Sequence, residues 1–156
     1  LTNKIKEKEI SITEIVKKPP KPLTPVKVAY IHGLLTGDIS AWRVAGVVYV
    51  QLCTTHPAME ELFIDTFLPL SNNGKVYRKA EKHKGPRPGG YSGGYFWRLR
   101  IRIAKEYREL IMKLKKEPKP KYAENDIELL AAYTAGLADS DGSWVQKTST
   151  DASNSE

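Results

Sequence analysis

Residues Leu129–Trp144 read LLAAYTAGLADSDGSW, a helical stretch whose last turn delivers acidic side chains and which stops at Gly142. A weaker copy stands upstream at Val28–Trp42, VAYIHGLLTGDISAW. Placing Asp38 on Asp141 sets an offset of 103 residues (141 − 38). At that offset Ala29, Tyr30, Gly33, Leu34, Asp38 and Ser40 fall on Ala132, Tyr133, Gly136, Leu137, Asp141 and Ser143. A repeat with the period of a small domain reads as two related domains, each opening with the same helix.

The small residues of the repeat carry its physical content. Ala29, Gly33 and Gly37 are spaced four apart, as are Ala132, Gly136 and Ser140, and that spacing lines one helical face. A glycine inside a helix costs about 0.8–1 kcal/mol relative to alanine, so a compensating close approach of a second backbone is expected along that face. If the two copies pack on each other, Asp38 and Asp141 emerge side by side at one end, where two carboxylates can seat a hard divalent cation. Simple helix-terminal acids are the alternative, but negative charge at a helix C-terminus opposes the macrodipole, and the matched placement favours a functional cause.

TAGLADSDG, Thr134–Gly142, resembles the signature of the LAGLIDADG homing endonucleases, and IHGLLTGDI, Ile31–Ile39, resembles a diverged first copy of it. The resemblance implies an α+β fold, an αββαββα unit with an antiparallel DNA-binding sheet, in which the paired motif helices form the core between two such units. It further implies that the last acid of each motif, Asp38 and Asp141, is catalytic and binds Mg²⁺ or another divalent cation during cleavage of both strands of a long DNA site. Two positions depart from the pattern: Thr36 stands where the first acid is frequent, and Ile39 replaces the final glycine. Asp139 occupies the first-acid position of the second copy, where the family residue is more often structural.

Charge supports a polyanionic partner. The chain of 156 residues carries a formal net charge of +7. Between Lys75 and Lys105 there are ten Lys or Arg against one acid, Glu81, a local excess larger than that of the whole chain. Concentrated basic charge is the footprint of a nucleic-acid binder. No apolar run is long enough to span a bilayer, no signal-peptide pattern opens the chain, and the single cysteine, Cys53, cannot form an internal disulfide. These features suit an intracellular protein of the cytoplasm, nucleoid or an organelle. A chain opening on Leu1 reads as a window on a longer protein or a processed form.

Along the chain, residues 1–24 form a basic, proline-rich arm ending in KKPPKP, which proline keeps from running into the core as a helix. Thr24-Pro25 then reads as N-cap and first position of the opening helix, in which His32 is expected as a packed or partly exposed side chain rather than a metal ligand or base. A short strand is expected around Ala41–Val44. Val48, Val50 and Leu52 alternate with Tyr49, Gln51 and Cys53 as a half-buried strand. Pro57 opens a helix with Met59, Leu62, Phe63 and Phe67 as its apolar stripe, and Asn72-Asn73-Gly74 reads as its end and the start of a turn. Lys75–Glu81 and Tyr95–Arg102 read as a second strand pair joined by HKGPRPGGYSGG, a connection expected to be mobile. Its glycines lack the GK[ST] that a phosphate-cradling loop needs.

In the last strand Trp97, Leu99 and Ile101 alternate with Arg98, Arg100 and Arg102, so the arginines share the face opposite the core. The same parity places Lys75, Tyr77 and Lys79 outward and Val76 inward. A two-stranded ribbon can enter the major groove, where Arg and Lys read guanine edges and Gln reads adenine. Arg43, Tyr49, Gln51, Lys75, Tyr77, Lys79, Arg98, Arg100 and Arg102 are the expected DNA-binding residues. Ile103–Lys116 returns to helical periodicity with Tyr107, Leu110, Ile111 and Leu114 as its packing face, and Asn125 is expected to cap the second motif helix, with Glu128 completing a capping-box variant.

The expected organisation is an arm at residues 1–24, a first unit at 25–117, a linker at 118–124, and at 125–156 the motif helix and start of a truncated second unit. The leading functional expectation is a metal-dependent, intron-encoded, site-specific double-strand DNA endonuclease, or a piece of one that needs a missing second half or a second copy of the chain. The alternatives are a nucleic-acid binder of the same type that does not cut, whether a splicing maturase on intron RNA or a DNA-binding regulator, and an unrelated basic structural protein.

Overall fold

The computed structural model describes residues 22–84, 94–117, 120 and 125–141. Residues 1–21 of the expected N-terminal arm, most of the glycine-rich connection, most of the expected linker and the segment after Asp141 lie outside the described residues. The fold is α+β. In chain order come α1 (Pro25–Thr36), β1 (Ser40–Val44), β2 (Val47–Thr54), α2 (Pro57–Phe67), β3 (Ser71–Lys82), β4 (Tyr95–Ile103), α3 (Arg108–Lys116) and α4 (Ile127–Asp141). One four-stranded antiparallel sheet, ordered β1-β2-β4-β3, carries the helices on one face.

Strand parity decides which face is which. Val48, Val50 and Leu52 of β2 and Leu99, Ile101 and Ile103 of β4 are buried, and they meet Ile31, Leu34 and Leu35 of α1, Phe63 and Phe67 of α2, and Ile111 and Leu114 of α3. With a side-chain period of two, burying these residues commits their neighbours to the opposite face. The β1–β2 turn places Ala45 and Gly46 at φ +48° and +75°, the left-handed pair of a two-residue hairpin turn. Glycine suits that region; alanine is strained there.

Several boundaries differ from the sequence reading. Asn72-Asn73-Gly74 lies inside β3 rather than at a helix end. After α2 a single 3₁₀ turn, Leu68–Leu70, leads directly into the strand at Ser71, which pairs with Ile103 before the register shifts ahead of Val76. Ser71 Oγ accepts from Gly74 N at 2.8 Å and Asn73 Oδ1 accepts from Lys75 N at 3.1 Å. The turn-forming chemistry is therefore present, but the ladder absorbs it as a bulge. Ile103 ends β4 rather than opening a helix, and a 3₁₀ turn at Lys105–Tyr107 precedes α3. The cap of α4 is Asp126, one residue beyond Asn125. Its Oδ1 accepts from the backbone N–H of Glu128 at 3.0 Å and of Leu129 at 3.2 Å, two donors that the first helical turn otherwise leaves unmet.

Candidate functional site

The centre of the molecule is the contact of α1 with α4, the most extensive between any two elements among the described residues. Thr24 Oγ1 caps α1 by accepting from Lys27 N at 3.2 Å, with Pro25 at the first helical position. Ala29 and Gly33 are buried, as are Gly136 and Ser140 of α4. A methyl group built on Gly33 would lie 2.0 Å from the carbonyl oxygen of Tyr133 and 2.6 Å from the amide nitrogen of Leu137. One built on Gly136 would lie 2.1 Å from the carbonyl oxygen of Tyr30 and 3.0 Å from the amide nitrogen of Leu34. Backbone meets backbone at both places, so only glycine fits.

These two contacts are the same contact. Gly33, Tyr133 and Leu137 in the first correspond to Gly136, Tyr30 and Leu34 in the second at the 103-residue offset found in the sequence. The polar bonds across the helices repeat it. Tyr30 OH donates to Asp139 Oδ2 at 2.8 Å, and Tyr133 OH donates to Thr36 Oγ1 at 3.4 Å. Each tyrosine crosses to the partner position of the opposite copy, so Thr36 and Asp139 act as acceptors in one symmetric latch. Burial, then the hydrogen bond and charge of Asp139, push the Tyr30 phenol above its ordinary value. The pair of helices thus has an approximate two-fold axis.

The axis brings the two motif acids to one end. Asp38 follows the C-terminus of α1 and Asp141 ends α4; both are exposed, and both line one open cleft with Ser140, His56, Met59, the end of β2 from Leu52 to Thr54, and Thr55 just beyond it. A methyl on Gly37 would lie 1.7 Å from Ser140 Oγ and 3.2 Å from Asp141 Oδ1, so the small residue that caps the C-terminus of α1 sets the seat of Asp141. The α1 end is fixed from the other side. Lys115 of α3 donates through Nζ to the carbonyls of Leu35 at 2.7 Å and Ile39 at 3.1 Å, bracketing Asp38. Burial lowers the Lys115 ammonium below its ordinary value. This lysine, which the sequence reading passed over, meets one of the carbonyls that the C-terminus of α1 leaves unpaired, that of Leu35, and the carbonyl of Ile39 just ahead of β1.

Two exposed carboxylates on one cleft fit a hard divalent cation that takes one or two protein oxygens and fills its shell with water and phosphate. Among the described residues no group of three or more His, Cys, Asp or Glu gathers, so Asp38 and Asp141 are the acids available. His32 is buried, its Nε2 donates to the Glu117 carbonyl, and its ring stands edge-on to Tyr133 at 5.1 Å. It is a packing residue.

The outward face of the sheet borders this cleft. Cys53, which lines the cleft, pairs with Arg98, and the rows beyond it are Gln51–Arg100–Tyr77 and Tyr49–Arg102. Lys75, Tyr77 and Lys79 are exposed on the same surface, and a shallow depression there is lined by Tyr49, Lys75, Tyr77, Arg100 and Arg102. Arg98 is partly neutralised, since its Nη2 lies 2.9 Å from Glu81 Oε2. Trp42, absent from the sequence candidates, stacks on Tyr49 with centroids 5.8 Å apart and carries the Arg100 guanidinium 5.1 Å from its ring.

Arg43 is the exception among the expected DNA-binding residues. It pairs with Val48, a core-facing position, and forms an ion pair with Glu109 of α3. The parity that sends Trp42 outward sends Arg43 to the helix side, and it is removed from the candidate surface. Arg78 behaves alike, stacking on Trp97 at 3.6 Å and meeting the buried Glu60 at 2.9 Å.

No family model matches the chain, and no curated protein matches it. Among solved structures it is similar to the homing endonuclease I-WcaI bound to its DNA recognition sequence, at 15% identity and a TM-score of 0.49. The match covers 77% of this chain and 59% of that one, so the chain spans less than two thirds of that protein.

Proposed function

We propose that the chain is a double-strand DNA endonuclease of LAGLIDADG type, built as one αββαββα unit at residues 25–117 followed by the motif helix of a second. The observation that carries this reading is the two-fold pairing of α1 and α4, which sets Asp38 and Asp141 on one open cleft. The basic outward face of the sheet, which borders that cleft, supports it.

In this reading the exposed lysines and arginines draw in the duplex and neutralise phosphates, and the side chains along β2, β3 and β4 meet base edges in the major groove. That surface lays the scissile phosphate over the cleft. Asp38 and Asp141 would hold a divalent cation there, Mg²⁺ by the chemistry of the donors, and would orient an attacking water by accepting its hydrogen bonds. When bound, the cation polarises the phosphate and lowers the cost of generating hydroxide at neutral pH. The Lys115 brace and the Gly37–Ser140 contact keep the two carboxylates in register, which matters because a misplacement of about 1 Å can cost about 100-fold in rate.

The far side of α4 exposes Ile127 and Leu130, whereas the equivalent side of α1 packs on the sheet. A second unit or a second copy of the chain would occupy it and read the other half of the site.

The test is scission of duplex DNA carrying candidate insertion sites, in Mg²⁺, by the chain and by Asp38→Asn and Asp141→Asn. A specific cut lost in both variants supports the nuclease. Salt-dependent binding with no cut in any of them supports a binder that does not cleave, a maturase or regulator.

A further inference from the structure

The outward face of the sheet holds one arginine that is immobilised without being neutralised. We infer that Arg100, set by Gln51 and Trp42, is a guanine-reading residue of this face. The inference rests on the duplex-binding reading above and deepens it by naming the side chain that carries base preference.

Arg100 donates to Gln51 Oε1 from Nε at 3.3 Å and from Nη2 at 3.0 Å, and its guanidinium lies 5.1 Å from the Trp42 ring. Both bonds leave from the edge of the fork that carries Nε. The end edge, formed by Nη1 and the second hydrogen of Nη2, keeps two parallel donors, and that pattern matches O6 and N7 of guanine. A free arginine gives up rotamer entropy when it is fixed. Here much of that loss is met on folding, so a base contact costs less to make.

The other arginines among the described residues are placed differently. Arg98 faces Glu81, Arg78 faces Glu60 and Arg43 faces Glu109, so a carboxylate already takes up part of each charge. Arg108 donates to the carbonyls of Ile103 and Gly46. Arg102 is exposed on the outward face and suits a phosphate. Gln51 is neutral and leaves the Arg100 charge intact. With Oε1 engaged by the guanidinium, Gln51 lacks the acceptor that adenine recognition requires. It is therefore a positioning residue for Arg100, which changes its expected role as a base reader.

The experiment is selection of bound duplexes from a randomised library, followed by sequencing, with thermal melts of each variant to confirm folding. The wild-type chain selects guanine at a defined position. Arg100→Ala lowers that preference about 5- to 150-fold, as expected for loss of a bidentate pair, and leaves other positions unchanged. Arg100→Lys keeps the charge but loses the fork, so affinity is largely retained while the guanine preference falls. Gln51→Leu weakens the same position only. Arg102→Ala weakens binding uniformly across sequences. A selected motif unaltered in Arg100→Ala and Arg100→Lys overturns the inference while leaving duplex binding standing. No enrichment of any duplex by the wild type overturns both.

Discussion

Alanine at Gly33 is the substitution to which the fold should be most sensitive for its size. The added methyl would sit 2.0 Å from the Tyr133 carbonyl oxygen and 2.6 Å from the Leu137 amide nitrogen, whereas optimal contacts between such atoms lie near 3.5 Å. Both obstacles are backbone, so α1 and α4 must part by roughly 1.5 Å. Overpacking of this kind costs about 1–3 kcal/mol, and the better helix propensity of alanine returns about 1 kcal/mol. The net loss is up to about 2 kcal/mol, and with backbone as the obstacle on both sides it falls toward that upper end, concentrated on the docking of α4. Gly136→Ala should cost a similar amount, because its methyl would lie 2.1 Å from the Tyr30 carbonyl oxygen. Native-state hydrogen exchange of the α4 amides reads this directly, with protection falling about tenfold or more in either variant. Gly37→Ala meets the Ser140 and Asp141 side chains instead, which can partly yield, so it should displace Asp141 more than it destabilises the helix pair. Unchanged or increased α4 protection in both Gly33→Ala and Gly136→Ala would refute the close backbone contact.

Lys115→Met should destabilise the chain by about 1–3 kcal/mol in urea melts, since it removes a charged donor from the Leu35 and Ile39 carbonyls. Tyr30 gives a pH signature. Its folded value is raised above the ordinary 10.0, so its stabilisation is fully present below pH 10 and is lost as pH rises from there toward the raised value. Thermal melts between pH 8 and 11 should show the wild type losing stability relative to Tyr30→Phe above pH 10, and parallel curves would contradict this. Ala45→Asn should stabilise the β1–β2 hairpin by about 0.5–1 kcal/mol in the same melts, because the φ of +48° suits Asn-Gly better than Ala-Gly.

The element order and core were legible because long-range burial leaves periodic marks. Leu99 and Ile101 alternating with Arg98, Arg100 and Arg102 gave the two faces of β4, and the 103-residue repeat put Gly33 opposite Gly136 in expectation before any coordinates. What escaped was decided by pairing partners that sequence does not name. Arg43 lies in a short edge strand whose residues show no clear alternation, and only its pairing with Val48 assigns it to the helix side. Asn72-Asn73-Gly74 has the composition of a turn, yet the Ser71–Ile103 pairing holds it within β3. Asn125 and Asp126 are both good caps, and only the hydrogen bonds of Asp126 to the Glu128 and Leu129 amides identify the second as the cap. Trp42 and Lys115 carried no motif. Their roles come from groups far along the chain, Tyr49 and Arg100 for the tryptophan and the end of α1 for the lysine.

Two copies of one helix are proposed to set Asp38 and Asp141 into a single cation-binding centre. Titration of Mn²⁺ followed by electron paramagnetic resonance tests it without a cleavable target, comparing the chain with Asp38→Asn, Asp141→Asn and the double variant. Binding should be weakened at least about tenfold by either single change, because each removes one carboxylate from a shared centre, with the double variant little worse than the singles. Full-strength binding retained in both single variants, or independent losses that add in the double variant, would contradict it.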